Sequence, residues 1–190
     1  PILMVLTYQI SKEIYLEEKN KINHNKKNIV IMDEAHKFLG KSAHVEIFVE
    51  QAYRRFRKHG ASMLLGTQGF EDLYGGDSVS KVGRVIIENS FWNFFLMQRS
   101  TSREKIKKSG FFNLSPYAYA LMDNTAPADG EYGEIFIMTD KVQTKGRVVL
   151  DKFLQTLLFT DADLRSKMNV LVSQGMNHLD SVKHILDTND

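Results

Sequence analysis

The sequence predicts an α/β fold in which a mainly parallel sheet is flanked by helices. Two short apolar runs, NIVIM at 28–32 and ASMLLGTQ at 61–68, are typical of fully buried parallel strands. Between them, residues 44–58 repeat apolar side chains at the spacing of an amphipathic helix. A strand, a helix and a second strand joined by short links form the unit from which parallel sheets are built.

The segments around this unit predict further helices and a third strand. Apolar residues at helical spacing predict a helix over 1–19, and a polar loop follows at 20–28. Residues 77–88 are predicted to be helical, and FWNFFLMQ at 91–98 is the third strand. SREKIKKSG at 102–110 predicts a short basic helix that ends on glycine, a frequent C-terminal cap.

The C-terminal part of the chain predicts a hairpin followed by helices. NLSPYAYALMDNTAPADGEY at 113–132 is interpreted as mostly loop with extended pieces. GEIFIMTD at 133–140 and KGRVVLD at 145–151 predict the two strands of the hairpin. From there on the chain is predicted to be helical, with helices at 161–173 and 177–187. Thr160 and Asp163 have the spacing of a capping box at the start of the first of these.

Composition excludes several classes of protein. The chain has 190 residues, of which 43% are hydrophobic, which is enough for a packed core. It contains no cysteine, so disulfides and thiolate metal sites are excluded. Its formal net charge of +2 does not point to nucleic-acid binding. No apolar run approaches the roughly 20 residues that a membrane span requires.

Two carboxylates follow the first predicted strand. Asp33 and Glu34 come directly after NIVIM, and the carboxyl ends of parallel strands open into the crevice where ligands bind. In nucleotide hydrolases, the first acid of such a pair helps to hold Mg²⁺ through water, and the second polarises the attacking water. The alternative is that the two acids open a helix, because acids are favoured at helix N-termini.

A glutamine occupies the matching position of the second strand. Gln68 ends ASMLLGTQ as Asp33 ends NIVIM, so both lie at one edge if the strands are parallel neighbours. A neutral amide there can donate a hydrogen bond to a γ-phosphate oxygen or to the attacking water. The alternative is a surface amide that opens a loop.

Three arginines precede the second strand. Arg54, Arg55 and Arg57 lie in YRRFRKHG, near the sheet edge opposite the carboxyl ends. They cannot easily reach the site of their own chain, but an arginine supplied to a neighbouring subunit can stabilise charge on a transferring phosphoryl group. Charge alone favours the alternative, a solvated basic helix end.

These motifs together resemble a family of motors. NIVIMDEAHKFL resembles the Walker B segment of the TraC-like conjugation and type IV secretion ATPases. RKHGASMLLGTQ resembles the segment that follows it in that family, and FEDLY and NSFWNFFLMQ are also similar. The family belongs to the HerA–FtsK class of RecA-like hexameric motors. The resemblance implies that Asp33 assists Mg²⁺ binding, Glu34 is the catalytic carboxylate, Gln68 senses the γ-phosphate and Arg57 is an arginine finger.

The resemblance also implies a division of the chain and a biological setting. Residues 1–150 are expected to form a truncated RecA-like ATPase core, and 151–190 a helical segment that packs on it. The intact protein would bind ATP and Mg²⁺, form a hexamer and work with other type IV secretion components. It would lie at the cytoplasmic face of the bacterial inner membrane, held peripherally through its partners, and DNA is an open candidate for direct contact.

One motif of the family does not occur in these residues. The 190 residues contain no GxxxxGK[ST], the loop that cradles the phosphates of ATP. We therefore expect this loop upstream of Pro1 and interpret the chain as the C-terminal part of the motor domain. Alone, the chain is predicted neither to bind ATP tightly nor to hydrolyse it.

Three alternatives remain open. The letters DEAH also occur in DEAH-box RNA helicases, but the segment after the second strand is GTQ, and Gln98–Arg99 is followed by STSRE without glycines. A metal site would need ligands from the set Glu34, His36, His44 and Glu46, whose H-x-E pair lacks helical i, i+4 spacing. A non-enzymatic assembly module is the third alternative, because the last forty residues predict amphipathic helices that must pack on something.

Overall fold

The computed structural model describes residues 2–20, 27–128, 131–158 and 162–189. The helices of this part are α1 (Ile2–Asn20), α2 (Ala43–Arg55), α3 (Lys81–Asn89), α4 (Ser100–Ser109), α5 (Pro116–Asp123), α6 (Lys152–Leu158), α7 (Ala162–Ser173) and α8 (His178–Asn189). The strands are β1 (Asn28–Met32), β2 (Ala61–Leu65), β3 (Asn93–Phe95), β4 (Gly133–Met138) and β5 (Gln143–Val148). Short 3-10 helices span Ala35–Lys37, Phe56–His59 and Phe70–Leu73.

The first two strands form the predicted parallel pair. β1 and β2 are aligned from Asn28 opposite Ala61 to Met32 opposite Leu65, so their carboxyl ends coincide. α2 connects them and packs against β2, α1 and α3. The 3-10 helix after α2 carries Phe56, which is almost fully buried in the main core. Gly60 ends it with a φ of 67°, as expected for a glycine cap.

The prediction that both strands are fully buried is wrong. Their side chains alternate between a face that packs on the core and a face that is open to solvent. Ile29 and Ile31 are 66% and 67% exposed, and Leu64 is 49% exposed. Val30, Met32, Met63 and Leu65 point the other way and pack against the core. An uninterrupted apolar run does not reveal that, among the described elements, one face of the pair is left open.

The remaining strands form a separate antiparallel sheet in the order β3-β4-β5. β4 and β5 are the predicted hairpin, although β5 begins two residues earlier than expected and ends at Val148. The predicted third strand is reduced to the three residues of β3, which pairs antiparallel with β4. Phe136 in the centre of β4 is fully buried, and its ring lies 6.2 Å from that of Phe95 in β3.

The prediction of loop and extended chain over 113–132 is wrong where α5 forms. Ser115 is the N-cap, and its Oγ accepts a hydrogen bond from the Ala118 N–H at 3.1 Å. Pro116 occupies the first turn, where a missing N–H is harmless. Ala118 and Met122 are buried on the inner face. The serine–proline start signal was available in the sequence and outweighs the turn-rich composition around it.

The other helices agree with their predictions apart from their boundaries. α3 begins at Lys81 rather than at residue 77, because the Ser80 side chain caps it. α6 and α7 both pack against α8, where Val182 and Ile185 are buried. The polar loop predicted at 20–28 lies mostly outside the described residues, and so does Thr160 of the predicted capping box. The division into 1–150 and 151–190 stays a prediction.

Candidate functional site

The acid pair lies in a sharp turn where β1 ends. Glu34 has a left-handed backbone, with φ 53° and ψ 39°, which is unusual for a residue that carries a side chain. Its N–H donates to Asp33 Oδ1 at 2.8 Å. The next residue, buried Ala35, donates its N–H to the Gly66 carbonyl at 2.9 Å. The turn therefore remains attached to the neighbouring strand while it presents both carboxylates at the edge.

Gly66 allows the two strand ends to approach each other. Its N–H donates to the Met32 carbonyl at 2.9 Å, which extends the strand pairing beyond β2. A Cβ atom at this position would lie 3.0 Å from Asp33 Oδ1, closer than ordinary van der Waals contact. A side chain at residue 66 would therefore displace the Asp33 carboxylate, which is exposed at this edge.

Gln68 lies against Glu34, as the sequence predicts. The Gln68 Nε2 atom donates to Glu34 Oε1 at 3.2 Å and to Oε2 at 3.1 Å, although the residues are 34 positions apart in the chain. β2 ends at Leu65, so Gln68 belongs to the loop after the strand rather than to its tip. This geometry confirms that the acid pair and the glutamine share one edge of the parallel pair. Their chemical roles stay predictions.

Two cationic or protonatable side chains also approach Glu34. His36 Nε2 lies 3.4 Å and Lys37 Nζ lies 3.3 Å from Glu34 Oε2. The Gln68 amide, together with Lys37 and the weaker charge of His36, holds the pKa of the Glu34 carboxyl below its ordinary value. Glu34 is therefore ionised at neutral pH, the form that can accept a proton or hold a water molecule.

The loop that carries Gln68 is fixed by a carboxylate that the sequence interpretation missed. Asp72 Oδ2 accepts hydrogen bonds from the backbone N–H groups of Gln68 at 3.0 Å and Gly69 at 3.2 Å. His36 lies between this carboxylate and Glu34, with its Nδ1 4.0 Å from Asp72 Oδ2. The signal that could have revealed Asp72 is an acid at the third position of a short helix, the spacing of a capping box.

Arg57 lies at the other end of the parallel pair. It is exposed in the 3-10 helix that precedes β2, whereas Gln68 follows that strand. A five-residue strand separates its two ends by roughly 16 Å. Arg57 thus occupies the edge that the sequence predicts, remote from Glu34 of the same chain. Arg54 forms an ion pair with Glu50 at 3.3 Å, consistent with a surface charge.

The alternative metal site receives no support from the described residues. They contain no group of three or more histidine or acidic residues arranged around a common metal position. Glu46, one member of the set considered, instead accepts a hydrogen bond from the Gly40 N–H at 2.8 Å. His44 is exposed near the start of α2.

Comparison with solved structures identifies a similar fold. The fold resembles that of VirB4 from Thermoanaerobacter pseudethanolicus, with a TM-score of 0.53 and 18% sequence identity. The matched region covers 77% of this chain and 36% of VirB4, so the chain spans about a third of that protein's length. The likeness to VirB4 confirms the predicted α/β fold class. No protein-family model and no curated protein matches the chain.

Within the part of the chain that the structure describes, no helix is both long enough and apolar enough to cross a bilayer.

Proposed function

We propose that this chain contributes the Walker B part of an ATP hydrolysis site to a type IV secretion ATPase similar to VirB4 and TraC. The observation that carries the proposal is the contact of the Gln68 amide with both oxygens of the Glu34 carboxylate. An ionised acid and a neutral amide at the carboxyl ends of neighbouring parallel strands suit the handling of a phosphate and its attacking water. The VirB4-like fold and the Walker B resemblance support the same class.

Glu34 and Gln68 have complementary roles in this proposal. The Glu34 carboxylate orients the attacking water and takes its proton, because its lowered pKa keeps it ionised. The Gln68 side-chain NH2 group is a donor, so it can donate either to the Glu34 carboxylate or to a γ-phosphate oxygen. A γ-phosphate would compete for the amide that now rests on Glu34, and this competition makes Gln68 a sensor of the phosphate.

Asp33 fits the role of an indirect magnesium ligand. Its carboxylate is exposed at the edge, and one oxygen is oriented by the Glu34 N–H at 2.8 Å, which leaves the other available. Mg²⁺ keeps several waters and takes few protein carboxylates, so one acid in contact with its water shell is sufficient. When bound, the ion would neutralise charge on the phosphates of ATP.

Arg57 acts in trans in this proposal. It lies on the edge opposite the acid pair, so it would reach the site of an adjacent subunit in a hexameric ring. An arginine supplied in this way can raise a hydrolysis rate by roughly 10³–10⁵. The ring would work with other secretion components at the cytoplasmic face of the bacterial inner membrane, associated peripherally through those partners.

A second candidate function is assembly without catalysis. It is favoured by the apolar side chains that are exposed on the open face of the parallel pair, namely Ile29, Ile31 and Leu64. Such a face is suited to burial against further protein. Concentration-dependent mass in light scattering, together with the absence of turnover in the full-length protein, would favour this candidate over hydrolysis.

The catalytic proposal is tested on the full-length encoded protein with Glu34→Gln. We expect this change to abolish ATP turnover while ATP binding persists, because the amide keeps the shape of the side chain but cannot take a proton. Glu88→Gln, on an exposed position of α3, is the matched control and should turn over at the wild-type rate. Turnover by Glu34→Gln at the wild-type rate would refute the catalytic role.

The 190-residue chain provides a second test. It is expected to show no ATP turnover because it contains no GxxxxGK[ST] sequence. Turnover by this chain that disappears in Glu34→Gln would show instead that the phosphate-binding groups are already present in it.

A further inference from the structure

We propose that Asp72 is the positioning residue of this site, which holds the Gln68 loop so that the Gln68 amide reaches Glu34. The significance of this role for hydrolysis rests on the proposed function, whereas the positioning itself concerns the described residues alone. Neither the predicted Walker B acids nor the predicted sensor glutamine accounts for how the loop is held.

The first argument is the hydrogen bonding of the loop. One oxygen of Asp72 accepts the N–H groups of two successive residues, Gln68 at 3.0 Å and Gly69 at 3.2 Å. Hydrogen bonds to an ionised acceptor are stronger than neutral ones. Two of them on adjacent peptide groups fix the backbone from which the Gln68 side chain extends. Gln68 itself is exposed, so apolar packing does not hold its side chain in place.

The second argument is the imidazole between the two carboxylates. His36 approaches Glu34 Oε2 with Nε2 at 3.4 Å and Asp72 Oδ2 with Nδ1 at 4.0 Å. Its Nδ1 is buried and has no hydrogen-bond partner among the described residues. The ring therefore spans the space between the acid that faces the reaction and the acid that holds the loop.

The third argument is that the same loop is braced from α4. The Ser102 Oγ donates to a carboxylate oxygen of Glu71, the residue beside Asp72. A Cβ atom at Gly69 would lie 2.8 Å from that Glu71 carboxylate, so a side chain at residue 69 would push the Glu71 side chain aside. The loop is thus held on one side by Asp72 and on the other by a residue of α4.

The test uses nuclear magnetic resonance of the 190-residue chain with Asp72→Ala. We expect the Gln68 and Gly69 backbone amide signals to shift upfield and the Gln68 side-chain amide to lose its contact with Glu34. The Glu34 pKa should then rise toward its ordinary value, as it should in Gln68→Ala. Asp72→Asn should shift the two backbone amide signals less than Asp72→Ala does, because its neutral amide oxygen still accepts from both N–H groups but more weakly than a carboxylate.

Asp77→Ala is the matched control, since Asp77 is an exposed acid in the following loop. Unchanged Gln68 and Gly69 signals in Asp72→Ala would refute the proposal. If Asp72→Ala does not fold, the proposal is tested instead by a pH titration of the wild-type chain. The two amide protons should then move together with the Asp72 carboxyl carbon as pH is lowered, and their failure to do so would refute the proposal.

Turnover separates this proposal from the proposed function. In the full-length protein, Asp72→Ala should lower kcat by roughly tenfold to a hundredfold and leave KM for ATP within about twofold. If the resonances respond as expected but the wild-type protein has no ATPase activity, Asp72 still positions Gln68 and the proposed function fails. If the wild-type protein is an ATPase and the resonances do not respond, only the positioning proposal fails.

Discussion

The parallel pair β1–β2 and the antiparallel sheet β3–β4–β5 are built from similarly apolar strands but serve different purposes. Each covers one face against the core and leaves apolar side chains exposed on the other, such as Ile31 in the first and Phe94 in the second. The polar cluster around Glu34 nevertheless occurs only at the end of the parallel pair. The backbone leaves both strands of a parallel pair at the same edge, so the residues that follow the two strands meet there.

An antiparallel pair places successive strand ends at opposite edges, where a tight turn joins them. At the β4–β5 turn, Thr139 Oγ1 accepts the N–H groups of Lys141 and Val142, and the turn is thereby closed on itself. The two sheets therefore differ in the kind of interaction that each one contains. Buried aromatic side chains within the strands themselves, Phe95 and Phe136, distinguish the antiparallel sheet. Hydrogen bonds between polar groups distinguish the edge of the parallel pair.

The largest expected effect tests the packing of the antiparallel sheet. Phe136→Ala should lower the free energy of unfolding by about 3–5 kcal/mol, because the side chain is fully buried. Phe94→Ala, in the neighbouring strand but 49% exposed, should change it by less than about 1 kcal/mol. Urea denaturation measures both. Equal losses in the two variants would contradict the one-sided burial of this sheet.

A smaller effect tests the backbone of the parallel edge. Glu34→Gly and Glu34→Ala both remove the carboxylate, but only glycine adopts a φ of 53° without steric conflict. The glycine variant should therefore have a folding equilibrium constant roughly two- to fivefold larger than that of the alanine variant. The midpoints of urea denaturation report the difference. An alanine variant as stable as the glycine variant would show that the turn is not strained.

The smallest expected effect is the pH dependence of the stability that ionised carboxylates such as Glu34 contribute. The hydrogen bond from the Gln68 amide is the main interaction that lowers the pKa of Glu34, whereas Lys145 and the Ala126 N–H lower the pKa of Glu134 in β4. A lowered pKa in the folded state means that each stabilising contribution is present above the unfolded-state pKa of about 4.3. The contribution is lost as pH falls through the lower folded-state value.

Carboxyl carbon titration by nuclear magnetic resonance checks this prediction. Gln68→Ala should raise the pKa of Glu34 toward its ordinary value and leave that of Glu134 unchanged, since Glu134 is held by the ion pair with Lys145 at 2.9 Å. A Glu34 carboxyl that titrates identically with and without the glutamine amide would show that the contact does not persist in solution.

Much of the fold follows from local pattern. The apolar runs, the amphipathic helix between them and the glycine at residue 60 predict β1, α2 and β2 in the observed order. The hairpin was also predictable, because its two apolar runs are separated by a short polar turn. The α5 helix was missed although Ser115 and Pro116 mark its start, since glycines, prolines and polar residues around it favoured a loop.

The order of residues alone shows that two acids follow one predicted strand and that a glutamine follows the next. That β2 ends before Gln68, and that the following loop brings the Gln68 amide back to Glu34, is seen only in the folded chain. The approach of His36 to Asp72 was also beyond prediction, because the two residues lie on different elements that only the fold brings together. Side-chain periodicity records which face is apolar, but a hydrogen bond between exposed polar groups depends on the path of the backbone, which folding alone fixes.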